Sequence, residues 1–198
     1  ASEAAAKIGA DAQLVRTGAL YHDIGKMWNP IFFTENQTNI NPHIQLSFDQ
    51  SAQIIIGHVT EGMKMAEKEG LPKAVTNFIR THHGRGKTKY FYNSYRNKYP
   101  DQPIDDQLFT YPGPNPFTKE TAILMTADSV EAASRSLKEH TEENIVGLVN
   151  RIIDSQIADG LMRNAPLTFK DIEEVKAVFI EKLKTMYHTR ISYPDLKK

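Results

Sequence analysis

The stretch Ala19-Leu20-Tyr21-His22-Asp23-Ile24-Gly25-Lys26 closes an apolar-periodic helix on a His-Asp pair, with Gly25 placed to end it. Four further donors follow along the chain: His58, the adjacent His82 and His83, and Asp128. They fall on the faces or at the ends of three other apolar-periodic segments. Six imidazole and carboxylate ligands spread over four helices are the layout of a two-metal hydrolytic site inside a helical bundle. Asp23 has two oxygens and directly follows His22, so it can bridge two ions while His22 binds one. Taken singly, a histidine on an apolar helix is more often a hydrogen-bonded core residue. His82-His83 alone would pass for a helix cap and Asp128 alone for a paired core acid. The joint occurrence favours a metal centre.

Helical periodicity extends over most of the chain, and strand-like alternation is scarce. Helices are expected from the opening residues to about Ile8, from Asp11 to Asp23, and from the N-cap Ser47 to about Glu69. Another should start near Pro72 and end at His82-His83. Three more are expected over Thr118–Leu137, Glu142–Ala158 and Lys170–Tyr187. The last is preceded by Thr168-Phe169-Lys170-Asp171, the spacing of a capping box with Asp for Glu. Between Asn29-Pro30 and Asn41-Pro42 a loop is expected. Residues 84–117 carry Pro100, Pro103, Pro112, Pro114 and Pro116 and are expected to form a long non-helical insertion on the substrate side. The fold class is therefore all-α, a single domain over residues 1–198.

Composition bounds the chemistry. Of 198 residues 40% are hydrophobic, enough for one substantial core. Lys plus Arg equals Asp plus Glu at 24 each, so neither polymeric nucleic acid nor an anionic membrane is an expected partner. There is no cysteine, which excludes thiolate zinc sites, disulfides and a cysteine nucleophile. The remaining donors suit iron, manganese or zinc. The run Ile54-Ile55-Ile56 is too short to span a bilayer. The chain opens on Ala1-Ser2-Glu3 without an initiator Met, as an N-terminally truncated piece of a larger protein would, and any membrane segments are expected in that parent. His43, His140 and His188 stand apart from the constellation and are expected to be structural or solvated.

His22-Asp23-Ile24-Gly25-Lys26, Glu35-Asn36-Gln37, Asn41-Pro42-His43, His58-Val59, His82-His83-Gly84, Tyr111-Pro112-Gly113-Pro114 and the segment Asp128 to Arg135 together resemble the HD-domain phosphohydrolase superfamily. Within it they are closest to the cytoplasmic HD domains of seven-transmembrane receptors that hydrolyse cyclic di-AMP. The resemblance runs from about Ala4 to the last helix. It implies an all-helical fold, two iron or manganese ions, and a cytoplasmic domain of an inner or plasma membrane protein. One ion would be held by His22, Asp23 and Asp128, the other by Asp23, His58, His82 and His83. Two departures stand out. The family has a further metal-binding His one helix upstream, and no His precedes His22 here; the expectation is that it belongs to a missing N-terminus. The Gly-Tyr-Pro signature of the related cyclic di-GMP hydrolases does not follow His83, where the chain reads Gly84-Arg85-Gly86-Lys87.

The implied reaction is attack on phosphorus by a hydroxide activated between two ions, with Asp23 catalytic and linear pApA as product. Lys26, one turn beyond His22, is a candidate for a catalytic and phosphate-binding role, against an exposed lysine near a helix end. Arg135, seven residues after Asp128, is a candidate substrate ligand, against an i,i+4 pair with Glu131. Gly84 to Tyr99 interleaves Arg85, Lys87, Lys89, Arg96 and Lys98 with Tyr90, Phe91, Tyr92, Tyr95 and Tyr99. Such a stretch can serve nucleotides or simply pin the insertion to the helices. Two other readings remain: a catalytically impaired cyclic-dinucleotide-binding regulatory module, and an HD-type nucleotidase. A homodimer is compatible with all of them.

Overall fold

Asp11 accepts the Leu14 amide at 2.9 Å and starts the helix that carries the His-Asp pair. The computed structural model describes residues 1–37 and 41–187, and His188 lies outside them. Among the described residues eight α-helices follow one another: α1 (Ser2–Lys7), α2 (Ala12–Tyr21), α3 (Phe48–Lys68), α4 (Lys73–Thr81), α5 (Lys89–Lys98), α6 (Lys119–Ser134), α7 (Glu142–Ala158) and α8 (Phe169–Tyr187). No strand forms among the described residues, and the only pairing of that kind is an isolated bridge between Lys87 and Thr110. The all-α class is as expected.

Local sequence explains most of the helix starts. Ser47 and Gln50 form a reciprocal capping box on α3, as do Thr118 and Thr121 on α6. The box expected at Thr168 is present: Asp171 accepts the Thr168 amide at 2.9 Å and Thr168 accepts the Asp171 amide at 3.0 Å. Helix α6 is central. Its residues 121–126 are buried one after another, as in a helix surrounded by neighbours rather than one lying on a surface. Val15 of α2, Phe78 of α4, Ile123 and Leu124 of α6, Ile145 and Val149 of α7, and Phe179 and Leu183 of α8 form the main core.

The thirty-four residues 84–117 depart from expectation. They are not wholly non-helical: Lys89–Lys98 is a ten-residue α-helix, and Asp106–Phe109 is a 3₁₀ turn. The helix escapes an aliphatic-periodicity reading because its anchors are aromatic. Phe109 inserts edge-on between Tyr92 and Tyr95, with ring centroids 5.7 Å from each. The ends of the insertion are tied by Thr88 N–H to Phe109 O and by Tyr111 N–H to Gly86 O, at 2.8 and 2.9 Å. Phe91 packs on His43, so these rings pin the segment to the body of the protein.

Asp171 also makes a testable pH lever. The Thr168 amide, then the Lys119 ammonium at 2.9 Å, hold its carboxyl down from 3.8 to about 2. A depressed carboxylate stabilises the fold above its unfolded pKa and loses that contribution as pH falls through the folded one. Wild type should therefore melt above Asp171→Asn at neutral pH, with the gap closing between 3.8 and about 2. A gap independent of pH in thermal melts would contradict this.

Candidate metal centre

Two glycines bring the His-Asp pair onto α3. Helix α2 ends at Tyr21, His22 is its C-cap, and Asp23 leads into a 3₁₀ turn, Ile24–Trp28. A Cβ on Gly25 would lie 1.8 Å from the His58 carbonyl oxygen and 2.5 Å from the Gly62 nitrogen. Gly62 is itself within 3.4 Å of the Gly25 backbone for any added Cβ. The turn thus lies backbone against backbone on α3, which sets Asp23 beside His58. Gly25 does not end α2 as the sequence suggested; it supplies space.

The six expected donors converge. Ligand atoms of His22, Asp23 and Asp128 lie within 4.8 Å of one another, and so do those of His58, His82 and His83. Asp23 joins the two groups through different oxygens. Its Oδ2 is 3.2 Å from His22 Nε2, while its Oδ1 is 3.3 Å from His58 Nε2 and 3.6 Å from His82 Nε2. Asp128 Oδ1 approaches His22 Nε2 at 3.6 Å. His82 is the C-cap of α4 and His83 follows it, with their rings 4.1 Å apart, so both reach one centre.

Protons alone do not satisfy this arrangement. His22, His58 and His82 each direct Nδ1 at a backbone carbonyl three residues earlier, at 2.8, 2.5 and 2.7 Å. A carbonyl only accepts, so Nδ1 carries the hydrogen and a neutral ring turns the Nε2 lone pair inward. His58 and His82 then face each other Nε2 to Nε2 at 2.9 Å beside a carboxylate. His22 Nε2 and Asp23 Oδ1 are buried without a hydrogen-bond partner among the described residues. A cluster of inward lone pairs and carboxylate oxygens fits divalent cations, which explains why a protein keeps it buried.

The charges agree. Burial pushes the His82 and His83 imidazolium forms down, His83 strongly, so both rings favour the neutral form. At His22 burial is outweighed by the Asp128 and Asp23 carboxylates, which push its pKa up to about 10. A metal must displace that proton to bind. Burial opposes ionisation of Asp23, but His22, His58 and His82 hold it well below the usual carboxylate range.

Lys26 sits at the rim, its ammonium 2.8 Å from Asp23 Oδ2 and 2.6 Å from Glu35 Oε1. Burial disfavours its charge, but these carboxylates raise its pKa, so it stays cationic. Tyr111 stacks on His83 at 4.1 Å, and Phe33 meets His58 edge-on at 5.7 Å. Neither was picked out on chemical grounds from sequence, since only the fold brings them to the histidines. Arg135 is exposed and donates to Glu131 at 2.7 Å, the i,i+4 pair weighed above. His43 bonds Phe32 O and His140 bonds Ser134 O, both apart from the centre, as expected.

The HD domain family model matches residues 1–133. This chain belongs to the HD domain family. HD domain relatives include the cyclic-di-AMP phosphodiesterase PgpH of Bacillus subtilis, 43% identical over 199 residues, and PgpH of Listeria monocytogenes, 39% identical over 198 residues. Each is matched across 100% of this chain, which spans only 28% and 27% of their lengths. The solved HD domain of L. monocytogenes PgpH in complex with cyclic-di-AMP superposes with a TM-score of 0.90 at 38% identity, covering 97% of this chain and 88% of that one. No helix among the described residues is long and apolar enough to cross a membrane.

Proposed function

We propose that this chain is the catalytic domain of a cyclic di-AMP phosphodiesterase, opening the cyclic dinucleotide to linear pApA. The observation that carries this reading is the division of Asp23, one oxygen toward each of two donor groups, in a fold like that of an HD domain solved with cyclic-di-AMP. His22, Asp23 and Asp128 would hold one ion, and Asp23, His58, His82 and His83 the other. Iron or manganese suits this mixed imidazole and carboxylate set, with no thiolate in the chain. When bound, such a pair activates water near neutral pH and offsets phosphodiester charge.

The chain's own groups do the rest. The three backbone carbonyls hold the imidazoles in one tautomer, so the ligands need no reorganisation. Lys26 lies where a phosphate oxygen can replace part of its pairing with Asp23 and Glu35, which stabilises charge developing on that oxygen. The chain spans about a quarter of these relatives' length, and the family resemblance implies that such a domain lies in the cytoplasm as part of a membrane protein.

The test is product analysis after incubation with cyclic di-AMP and Mn²⁺ or Fe²⁺. Linear pApA is the expected product. Tight binding without turnover would favour a regulatory module, and turnover of mononucleotides alone would favour a nucleotidase. Arg135→Ala should raise KM for cyclic di-AMP about threefold with metal content unchanged, as expected of an exposed cation near a dianionic ligand. An unchanged KM would assign Arg135 to its pair with Glu131.

A further inference from the structure

Lys26 is held by more than the metal centre. Its ammonium lies 2.8 Å from Asp23 Oδ2, 2.6 Å from Glu35 Oε1 and 5.3 Å from the centre of the Phe33 ring. The two carboxylates differ in what else they face. Asp23 Oδ2 is also 3.2 Å from His22 Nε2, inside the first donor group, whereas Glu35 belongs to neither group. A 3₁₀ turn, Thr34–Asn36, places Glu35 directly after Phe33, which is buried and meets His58 edge-on at 5.7 Å. The Phe32 carbonyl accepts from Gln37 Nε2 at 3.2 Å and from His43 Nε2 at 2.9 Å, and Asn36 N–H donates to Phe33 O at 2.8 Å. The backbone that carries Glu35 is thus fastened beside the second donor group, while its side chain reaches the lysine beside the first.

We propose that Glu35 is a positioning residue for Lys26: it retains the ammonium at the rim when a cation takes Asp23 Oδ2, so the lysine meets the phosphate instead of competing for the carboxylate. The inference rests on the activity proposed above. A divalent cation at Oδ2 repels an ammonium on the same oxygen and draws off the charge that held it. With Asp23 as its sole partner, the ammonium would compete with the cation for Oδ2. Each binding event would then have to expel a flexible lysine into solvent. Glu35 lies outside both donor groups, so its charge stays with Lys26 whether or not the centre is filled. The Phe33 ring adds a weaker attraction of the same sense. An exposed ion pair contributes little to stability, so the effect of this one belongs to the site and not to the fold.

Glu35→Gln keeps the size of an exposed side chain and removes its charge, so Tm should stay at the wild-type value. Manganese affinity, read from the electron paramagnetic resonance of free Mn²⁺, should fall about tenfold as the ammonium settles on Asp23. At saturating manganese, kcat for cyclic di-AMP should fall about tenfold with KM within about twofold, since the cation acts on charge that develops during the reaction. Both losses depend on the lysine. In a Lys26→Met chain the same Glu35→Gln change should move manganese affinity and kcat by less than about twofold. Equal losses in both backgrounds would overturn the proposal, because Glu35 would then act without Lys26; so would no loss in either. A wild-type chain that does not hydrolyse cyclic di-AMP overturns the proposed function. Manganese affinity across the same chains needs no turnover and still decides Glu35.

Discussion

Asp23→Asn should lower cyclic di-AMP hydrolysis by about 10³-fold or more and deplete metal from both positions, not one. The asymmetry of its surroundings is the reason. Oδ2 faces His22 and Oδ1 faces His58 and His82, so replacing one oxygen with an amide turns a donor N–H into one group or the other. An amide nitrogen does not ligate a cation, and a neutral side chain also removes the charge that offsets it. Metal analysis of the purified variant checks the first half of the expectation and product formation the second. Full occupancy at both positions with retained turnover would refute the bridging role. Loss of a single ion would place Asp23 in one group only.

Gly25→Ala should be the most damaging glycine-to-alanine change among the described residues. Its Cβ would fall 1.8 Å from a main-chain oxygen and 2.5 Å from a main-chain nitrogen, and neither belongs to a side chain that could rotate away. The 3₁₀ turn would have to lift from α3 and carry Asp23 away from His58. Overpacking of this kind costs about 3 kcal/mol or more, at the upper end of what one inserted carbon does in a close-packed interior. In a domain of this size that lowers Tm by roughly 6–12 °C. Metal content should fall even at temperatures where the variant stays folded, because the two donor groups separate. An unchanged Tm with normal metal content would mean that the turn is not seated as described. Gly18→Ala, whose Cβ would meet the Phe78 ring at 2.4 Å, makes a useful comparison. Its neighbour is a side chain on α4, so the fold should suffer while the Asp23–His58 geometry survives better.

The convergence of the six candidate donors was legible because they break the helical pattern. His22, His58, His82 and Asp128 are polar residues interrupting apolar-periodic segments, and a buried polar group in such a place needs a partner. The helix starts were legible too, since Ser47, Thr118 and Thr168 satisfy their own amide donors locally. What escaped was set by contact between distant segments. The end of α2 was placed two residues too late because Gly25 resembles a helix stop, whereas its backbone is pressed against α3. Helix α5 was hidden because Tyr92 and Tyr95 gain their stability from Phe109, fourteen or more residues away.

Residue chemistry and spacing were enough to give an all-helical domain with six candidate donors and no thiol chemistry, since these depend on side-chain type and helical period. Folding in three dimensions assigned Oδ1 and Oδ2 of Asp23 to different neighbours and turned three imidazoles inward through their carbonyl partners. Those features depend on where separate helices touch, and a linear pattern of apolar and polar residues carries no measure of that distance.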